Sequence, residues 1–67
     1  MIISVNGAQR EVADRARLAD VLNRPAGDMP RGVAVAVDGT VVPRARLGEV
    51  ELTEGARVEI VTAVQGG

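Results

Sequence analysis

The sequence predicts an α+β fold, in which a mixed sheet of four to five strands carries a single helix packed on one face. Two dipeptides, Asn6-Gly7 and Asp38-Gly39, each lie between short strand-like segments. Such dipeptides favour tight hairpin turns because both central residues tolerate a positive φ. One apolar stripe at helical spacing predicts the helix. A chain of 67 residues is expected to form one domain, covering residues 1–67.

The chain begins with a predicted hairpin. Residues 2–5, "IISV", are short and largely β-branched, and Asn6-Gly7 follows at once. The segment "AQREV" then returns as the second strand, with Val12 directed inward.

The helix is predicted from residues 17–24, "RLADVLNR". Leu, Val and Leu at positions 18, 21 and 22 lie on one helical face, and Pro25 ends the pattern. We expect the helix to start near Ala16, with Asp14 as the nearest good capping residue. Residues 25–32, "PAGDMPRG", are rich in helix breakers and predict a loop.

A second hairpin is predicted after this loop. Residues 33–37, "VAVAV", alternate so that Val lies on one face of a strand and Ala on the other. The turn at Asp38-Gly39 leads to "TVV", which ends before Pro43 because proline cannot donate to a strand ladder. A short helical turn is expected over residues 44–48.

The last strand is predicted over residues 57–64, "RVEIVTAV", after a turn at "TEG". Val58, Ile60 and Thr62 are expected on one face of this strand. The other face carries Glu59, Val61 and Ala63.

This order of elements predicts a β-grasp fold. The helix must bury its stripe against one sheet face, and the right-handed crossover rule places it across that face. The first and last strands then lie parallel in the middle of the sheet. The predicted core consists of Ile3, Val5, Val12, Leu18, Val21, Leu22, Val33, Val35, Val37, Val42, Leu47, Leu52, Val58 and Ile60.

The composition argues against an enzyme. The chain has no His, Cys, Lys or Tyr, which removes the usual general base near neutral pH, the thiolate nucleophile and the Schiff-base amine. Zinc sites built on His or Cys and a Walker-type phosphate loop are excluded for the same reason. The carboxylates are scattered singly, so we expect no catalytic residue and no metal site.

The charge balance argues against nucleic-acid and membrane partners. Eight Arg stand against nine Asp and Glu, giving a net charge of -1, whereas nucleic-acid binding calls for a basic excess on one face. The sequence shows neither an apolar stretch long enough to span a membrane nor a signal-peptide pattern. We expect a soluble cytoplasmic protein.

The end of the sequence, "VEIVTAVQGG", is its least ordinary feature. The last strand leads directly to Gly66 and Gly67. In a β-grasp fold this strand would direct the chain end away from the domain, so we expect residues 63–67 to form a flexible tail.

The whole chain resembles the ThiS family, the ubiquitin-like sulfur carriers of thiamine biosynthesis. The resemblance lies in "IISVNG", "LADVL", "VAVAVDGTVVPR" and "EGARVEIVTAVQGG", with "VVPR" and "VQGG" the most specific segments. Two positions depart from the family pattern. Arg17 stands where a Thr or similar cap commonly opens the helix, and Ala56 stands where an Asp is common after the turn glycine.

The resemblance implies a carrier that serves partner enzymes. An E1-like adenylating enzyme would use ATP to adenylate the carboxylate of Gly67, which follows Gln65 and Gly66 in the tail. Sulfur mobilised from cysteine by a cysteine desulfurase would replace AMP and leave a thiocarboxylate, and a thiazole synthase would accept that sulfur. ATP would bind to the partner, and this chain would bind no cofactor. Glycine suits the terminal position because no Cβ hinders attack on the carbonyl or passage through a narrow channel.

Docking to such partners requires a surface, and the sheet face opposite the helix is open. The residues expected there are Ala34, Ala36, Glu59, Val61 and Ala63. Val61 is the strongest candidate because it lies close to the tail. Scattered exposed aliphatic residues are also normal on any protein. Glu59, Arg57 and Arg10 either steer the partner or form an ordinary solvated rim.

Three other functions compete with a thiamine sulfur carrier. The small subunit of molybdopterin synthase also ends in Gly-Gly on this fold, but such chains often carry an aromatic-proline segment before the tail, where this chain has "TAV" and lacks aromatic residues altogether. A ubiquitin-like protein modifier is the second alternative. The third is a plain interaction domain whose terminal glycines have no chemical role.

Overall fold

The computed structural model describes residues 1–22 and 32–62. Within them, the chain forms β1 (Ile2–Val5), β2 (Ala8–Glu11), α1 (Leu18–Leu22), β3 (Val33–Val37), β4 (Thr40–Val42), a 3-10 helix (Arg44–Arg46) and β5 (Arg57–Thr62). The last strand therefore forms as predicted over its described part. The predicted end of the helix, the predicted loop except Gly32, and the predicted tail at residues 63–67 lie outside the described residues.

The strands form one mixed sheet in the order β2-β1-β5-β3-β4. The first strand, β1, runs parallel to β5, and every other neighbouring pair is antiparallel. The first and last strands therefore lie side by side in the middle, as the sequence predicts. No helix among the described residues is long and apolar enough to cross a membrane.

Both predicted hairpins form, with the turn chemistry that the sequence indicates. Asn6 and Gly7 have φ values of 49° and 86°, and Asp38 and Gly39 have φ values of 50° and 86°. Two successive positive φ values are the mark of a type I′ turn, whose twist matches that of the flanking strands. These two-residue turns fix the register of both hairpins.

The core lies between α1 and the inner face of the sheet. Leu18 and Val58 are fully buried, and every residue of the predicted core is either buried or half-buried against the cluster. The prediction missed the buried Ala16 and Ala56. The methyl group of Ala56 belongs to the core cluster, which explains how an apolar residue fits where the family pattern often has Asp.

The helix begins at Leu18 rather than near Ala16, so the predicted start is wrong by two residues. The amide of Ala16 donates to Ala13 O at 3.1 Å, and its carbonyl accepts a hydrogen bond from Leu52 N at 2.9 Å. These bonds tie Ala16 to a turn and to a distant segment instead of to the helix. Long-range pairing therefore displaces a residue that local propensity assigns to the helix.

The start of the helix is stabilised without a side-chain cap from Arg17. The carbonyl of Arg17 accepts the first intrahelical bond, and its amide donates to Asp20 Oδ2 at 3.0 Å. This is the reciprocal half of a capping box, supplied by Asp20 and not by the predicted Asp14. The amides of Leu18 and Ala19 donate to carbonyls of the later segment, Val50 O and Leu47 O.

Candidate functional site

The candidate site is the carboxyl end of β5 together with the sheet face beside it. The predicted modification site Gly67 and the tail residues Ala63, Gln65 and Gly66 lie outside the described residues. The structure describes the strand that precedes them. Because β5 lies between β1 and β3, it is held on both sides, and its carboxyl end lies in the middle of the sheet.

Two hairpin turns hold β5 by their side chains as well as by the sheet. At the start of the strand, Asp38 Oδ1 accepts a hydrogen bond from Arg57 N at 2.9 Å. Further along the strand, Asn6 Oδ1 accepts one from Ile60 N at 2.8 Å. Each acceptor is the first of the two central residues of its type I′ turn, so the turn residues that shape the hairpins also pair with the central strand.

Four of the five predicted docking residues share the sheet face opposite the helix. Ala34 pairs with Val61 and Ala36 pairs with Glu59 in the β3–β5 ladder, and paired residues point to the same side. Val61 is 57% exposed. The fifth, Ala63, lies outside the described residues. The role of these residues in partner binding stays a prediction.

The sequence reasoning missed Val41, which extends this face. Val41 is 65% exposed and pairs with Ala36 across the β3–β4 hairpin. The two-residue turn at Asp38-Gly39 already implies this register, so counting outward from the turn would have found Val41. We call the apolar surface formed by Ala34, Ala36, Val41 and Val61 the open-face patch.

The charged residues near the open-face patch are exposed. Arg57 Nε lies 3.9 Å from Glu59 Oε1, and both side chains are largely in water. Such an ion pair contributes little stability. Arg10 lies elsewhere: it pairs with the buried Ile3 on the inner face, and its Nη1 donates to Val21 O at 3.4 Å. Arg10 therefore lies on the sheet face opposite the open-face patch, and its role in steering a partner stays a prediction.

The polar side chains of the described residues lie at or near the surface. Among residues 1–22 and 32–62, no polar or charged residue is buried, and no three His, Cys, Asp or Glu residues form a group able to hold a metal ion. The prediction that the chain has neither catalytic nor metal-binding residues stays a prediction. The arrangement that is present combines a firmly held central strand with an exposed apolar patch beside its carboxyl end.

The comparisons with known proteins agree with this architecture. The chain is similar over 100% of its length, and over 100% of the other chain, to the crystal structure of the thiamine biosynthesis protein ThiS from Geobacter metallireducens, with 25% sequence identity and a TM-score of 0.79. Among curated proteins, none matches the chain. A sequence model of the ThiS family matches residues 3–67, which include the terminal Gly-Gly. The chain therefore belongs to the ThiS family, the β-grasp sulfur carriers of thiamine biosynthesis that its sequence resembles.

Proposed function

We propose that this protein carries sulfur for formation of the thiazole ring of thiamine, as a thiocarboxylate on Gly67. The observation that carries the proposal is the family match over residues 3–67, since it reaches the Gly-Gly end and includes the central strand that leads there. In this role the protein is a co-substrate of its partner enzymes and not itself an enzyme.

The proposed chemistry begins with activation of a poor acyl donor. A carboxylate does not exchange its oxygen for sulfur unaided, because the leaving group would be oxide. An E1-like enzyme joins the carboxylate of Gly67 to the α-phosphate of ATP and releases pyrophosphate. The persulfide that a desulfurase forms from cysteine then attacks the acyl carbon through its outer sulfur, and AMP leaves with the C–O bond electrons. A thiol reductant, which excess cysteine supplies, cleaves the resulting S–S bond, and the carrier retains the new C–S bond as a thiocarboxylate.

The residues that the chain contains indicate which steps belong to this protein and which to its partner enzymes. ATP binds to the adenylating enzyme, and this protein supplies the acyl group and a docking surface. The thiazole synthase receives the sulfur in the last step. The absence of Lys from the sequence fits a carrier whose activated end must not react with side-chain amines of a second copy.

The open-face patch is the proposed docking surface for the adenylating enzyme. Its side chains are aliphatic and lie on β5, which leads to the tail, on the neighbouring β3 and on β4 beyond it. Burying exposed aliphatic surface stabilises a complex in proportion to its area. A patch beside the exit of β5 brings the tail to the partner's active site as the domain docks.

Alkylation of the matured protein tests the proposed function. The protein is incubated with its adenylating enzyme, ATP, a desulfurase and cysteine and is then treated with iodoacetamide. Mass spectrometry of the intact protein measures the alkyl groups taken up. Because the chain has no Cys, we expect a readily alkylated group to appear only after maturation. Alkylation is needed because oxidation of Met1 or Met29 changes the mass almost as much as exchange of oxygen for sulfur does.

A chain that lacks Gly67 is the matched control. It keeps the described fold and the open-face patch but presents a different terminal carboxylate. We expect it to take up no alkyl group. Equal alkylation of the shortened chain, or no alkylation of the full chain, would contradict the proposal.

A further inference from the structure

We propose that Asn6 is a positioning residue for the reaction at Gly67, because its side chain continues the pairing of β1 with β5 toward the tail. The inference rests on the proposed function and deepens it. Asn6 acts through the backbone of β5 and does not contact the reacting atoms. The hydrogen bond from Ile60 N to Asn6 Oδ1 provides this pairing.

The parallel ladder between β1 and β5 advances two residues at each step. Ser4 N donates to Ala56 O at 3.0 Å, and Asn6 N donates to Val58 O at 2.9 Å. The described register of this pair ends at Val5 and Val58. A continued parallel ladder would next offer a main-chain acceptor to Ile60 N.

The chain direction at Asn6 prevents that main-chain bond. Asn6 has φ of 49° and opens the hairpin turn, so the backbone bends away from β5 after it. Its side-chain oxygen accepts from Ile60 N at 2.8 Å instead. Asn combines a tolerance for positive φ with an acceptor on a short side chain, so one residue both forms the turn and extends the ladder.

This bond matters because of where Ile60 lies. Ile60 is seven positions before Gly67, and Val61 of the open-face patch follows it directly. With the bond, β5 is held by both neighbours as far as Ile60. Without it, the ladder with β1 ends at Val58, and only β3 continues beside β5 to Thr62. The direction in which the chain leaves the sheet would then be less sharply defined.

A loosely aimed tail lowers the fraction of docked complexes in which Gly67 reaches the reacting phosphate. Rates fall when a reacting group is misplaced, even by a change distant from the chemistry. The net contribution of one hydrogen bond limits the effect to about three- to tenfold. Docking itself should change less, because three of the four patch residues lie on β3 and β4.

The fold supplies a matched control at the other end of the same strand. Asp38 also opens a type I′ turn, has φ of 50°, and accepts a hydrogen bond from a β5 amide, Arg57 N, at 2.9 Å. Asp38→Gly removes the same kind of bond as Asn6→Gly and leaves the positive φ unstrained. Arg57 is the first residue of β5 and lies at the end far from the tail, so loss of the Asp38 side-chain acceptor should not change the direction of the tail.

The experiment compares Asn6→Gly, Asp38→Gly and Asn6→Asp with the unsubstituted protein. Adenylation by the adenylating enzyme is followed as ATP–pyrophosphate exchange at varied carrier concentration, and direct binding to that enzyme is measured without ATP. We expect Asn6→Gly to lower kcat about three- to tenfold with Kd changed less than about twofold, the range of one net hydrogen bond. Asp38→Gly should stay within about twofold of the unsubstituted kcat, because the hydrogen bond that it removes lies at the far end of β5. Asn6→Asp should stay within the same range, because the aspartate side chain keeps an oxygen that accepts from Ile60 N.

Hydrogen exchange provides the structural readout. The amide of Ile60 should exchange faster in Asn6→Gly and keep its protection in Asp38→Gly. Equal losses of kcat in the two glycine variants would overturn the positioning role. Failure of Asn6→Gly to fold, when Asp38→Gly folds, would also overturn it, because Asn6 would then act through the stability of the whole domain. Lack of adenylation of the unsubstituted protein would overturn the proposed function instead.

Discussion

Ala34 lies directly opposite Val61 in the antiparallel pairing of β3 with β5. Ala34 has a small side chain, so the larger Val61 stands clear of the sheet and is 57% exposed. Val41, two strands away, is exposed on the same face. An apolar surface therefore lies next to the carboxyl end of β5, where a partner of the proposed kind would approach.

Val61→Asp should weaken docking to the adenylating enzyme without unfolding the protein. The carboxylate would be exposed in the free protein but buried without a partner in the complex, which is costly. We expect the Kd for the enzyme to rise about tenfold or more, which corresponds to at least about 1.4 kcal/mol. Titration calorimetry or fluorescence anisotropy would measure it, with thermal unfolding as the check on folding.

Thr62→Asp is the matched control for this variant. Thr62 is the next residue of the same strand, is exposed, and pairs with the half-buried Val33 on the inner side of the sheet. The Thr62→Asp substitution introduces the same charge next to position 61 but on the inner face of the sheet. Equal weakening by both substitutions would show that charge near the tail matters and that the open-face patch does not.

Val58→Ala should destabilise the domain strongly. Val58 is fully buried in the centre of the sheet, so truncation loses the burial of two carbons and leaves a cavity. We expect a loss of about 2–3 kcal/mol in the free energy of unfolding. That is a large share of the total expected for 67 residues, on the order of 3–10 kcal/mol. Urea denaturation followed by far-ultraviolet circular dichroism would measure it.

Val41→Ala is the same substitution at an exposed strand position and serves as the control. Surface substitutions of this kind change stability by less than about 0.5 kcal/mol. A loss at Val41 equal to that at Val58 would contradict the assignment of the core to the inner face of the sheet.

Asp20→Ala should destabilise the start of the helix. It removes the acceptor that Asp20 Oδ2 provides for Arg17 N and the negative charge near the helix start. We expect a loss of about 0.5–1.5 kcal/mol in the free energy of unfolding. Asp20→Asn keeps an acceptor without the charge and should lose clearly less. If the two variants unfold at the same urea concentration, the hydrogen bond makes no measurable contribution.

The open sheet face of the candidate site could be predicted from strand alternation and from the two-residue turn. The alternation in "VAVAV" and "RVEIV" is enough to predict that Ala34, Ala36, Glu59 and Val61 share one face, because strand side chains alternate strictly and the other face carries the larger core residues. Val41 follows from the same rule and the two-residue turn. The interaction of Asn6 with Ile60 was not predictable, since the two residues are 54 positions apart and the sequence carries no signal for that contact.

The residues along the chain are enough to predict the two hairpins, the apolar helical stripe, most of the core and the family, because these depend on neighbouring residues and on periodicity. Three features appear only in the folded protein: the carbonyls that pair with the helix start, the burial of Ala16 and Ala56, and the side chains that hold β5. Those features arise where distant segments meet: Leu18 N pairs with Val50 O, and Asn6 pairs with Ile60. A backbone donor is satisfied by whichever acceptor the fold brings near, and the order of residues along the chain does not specify that acceptor.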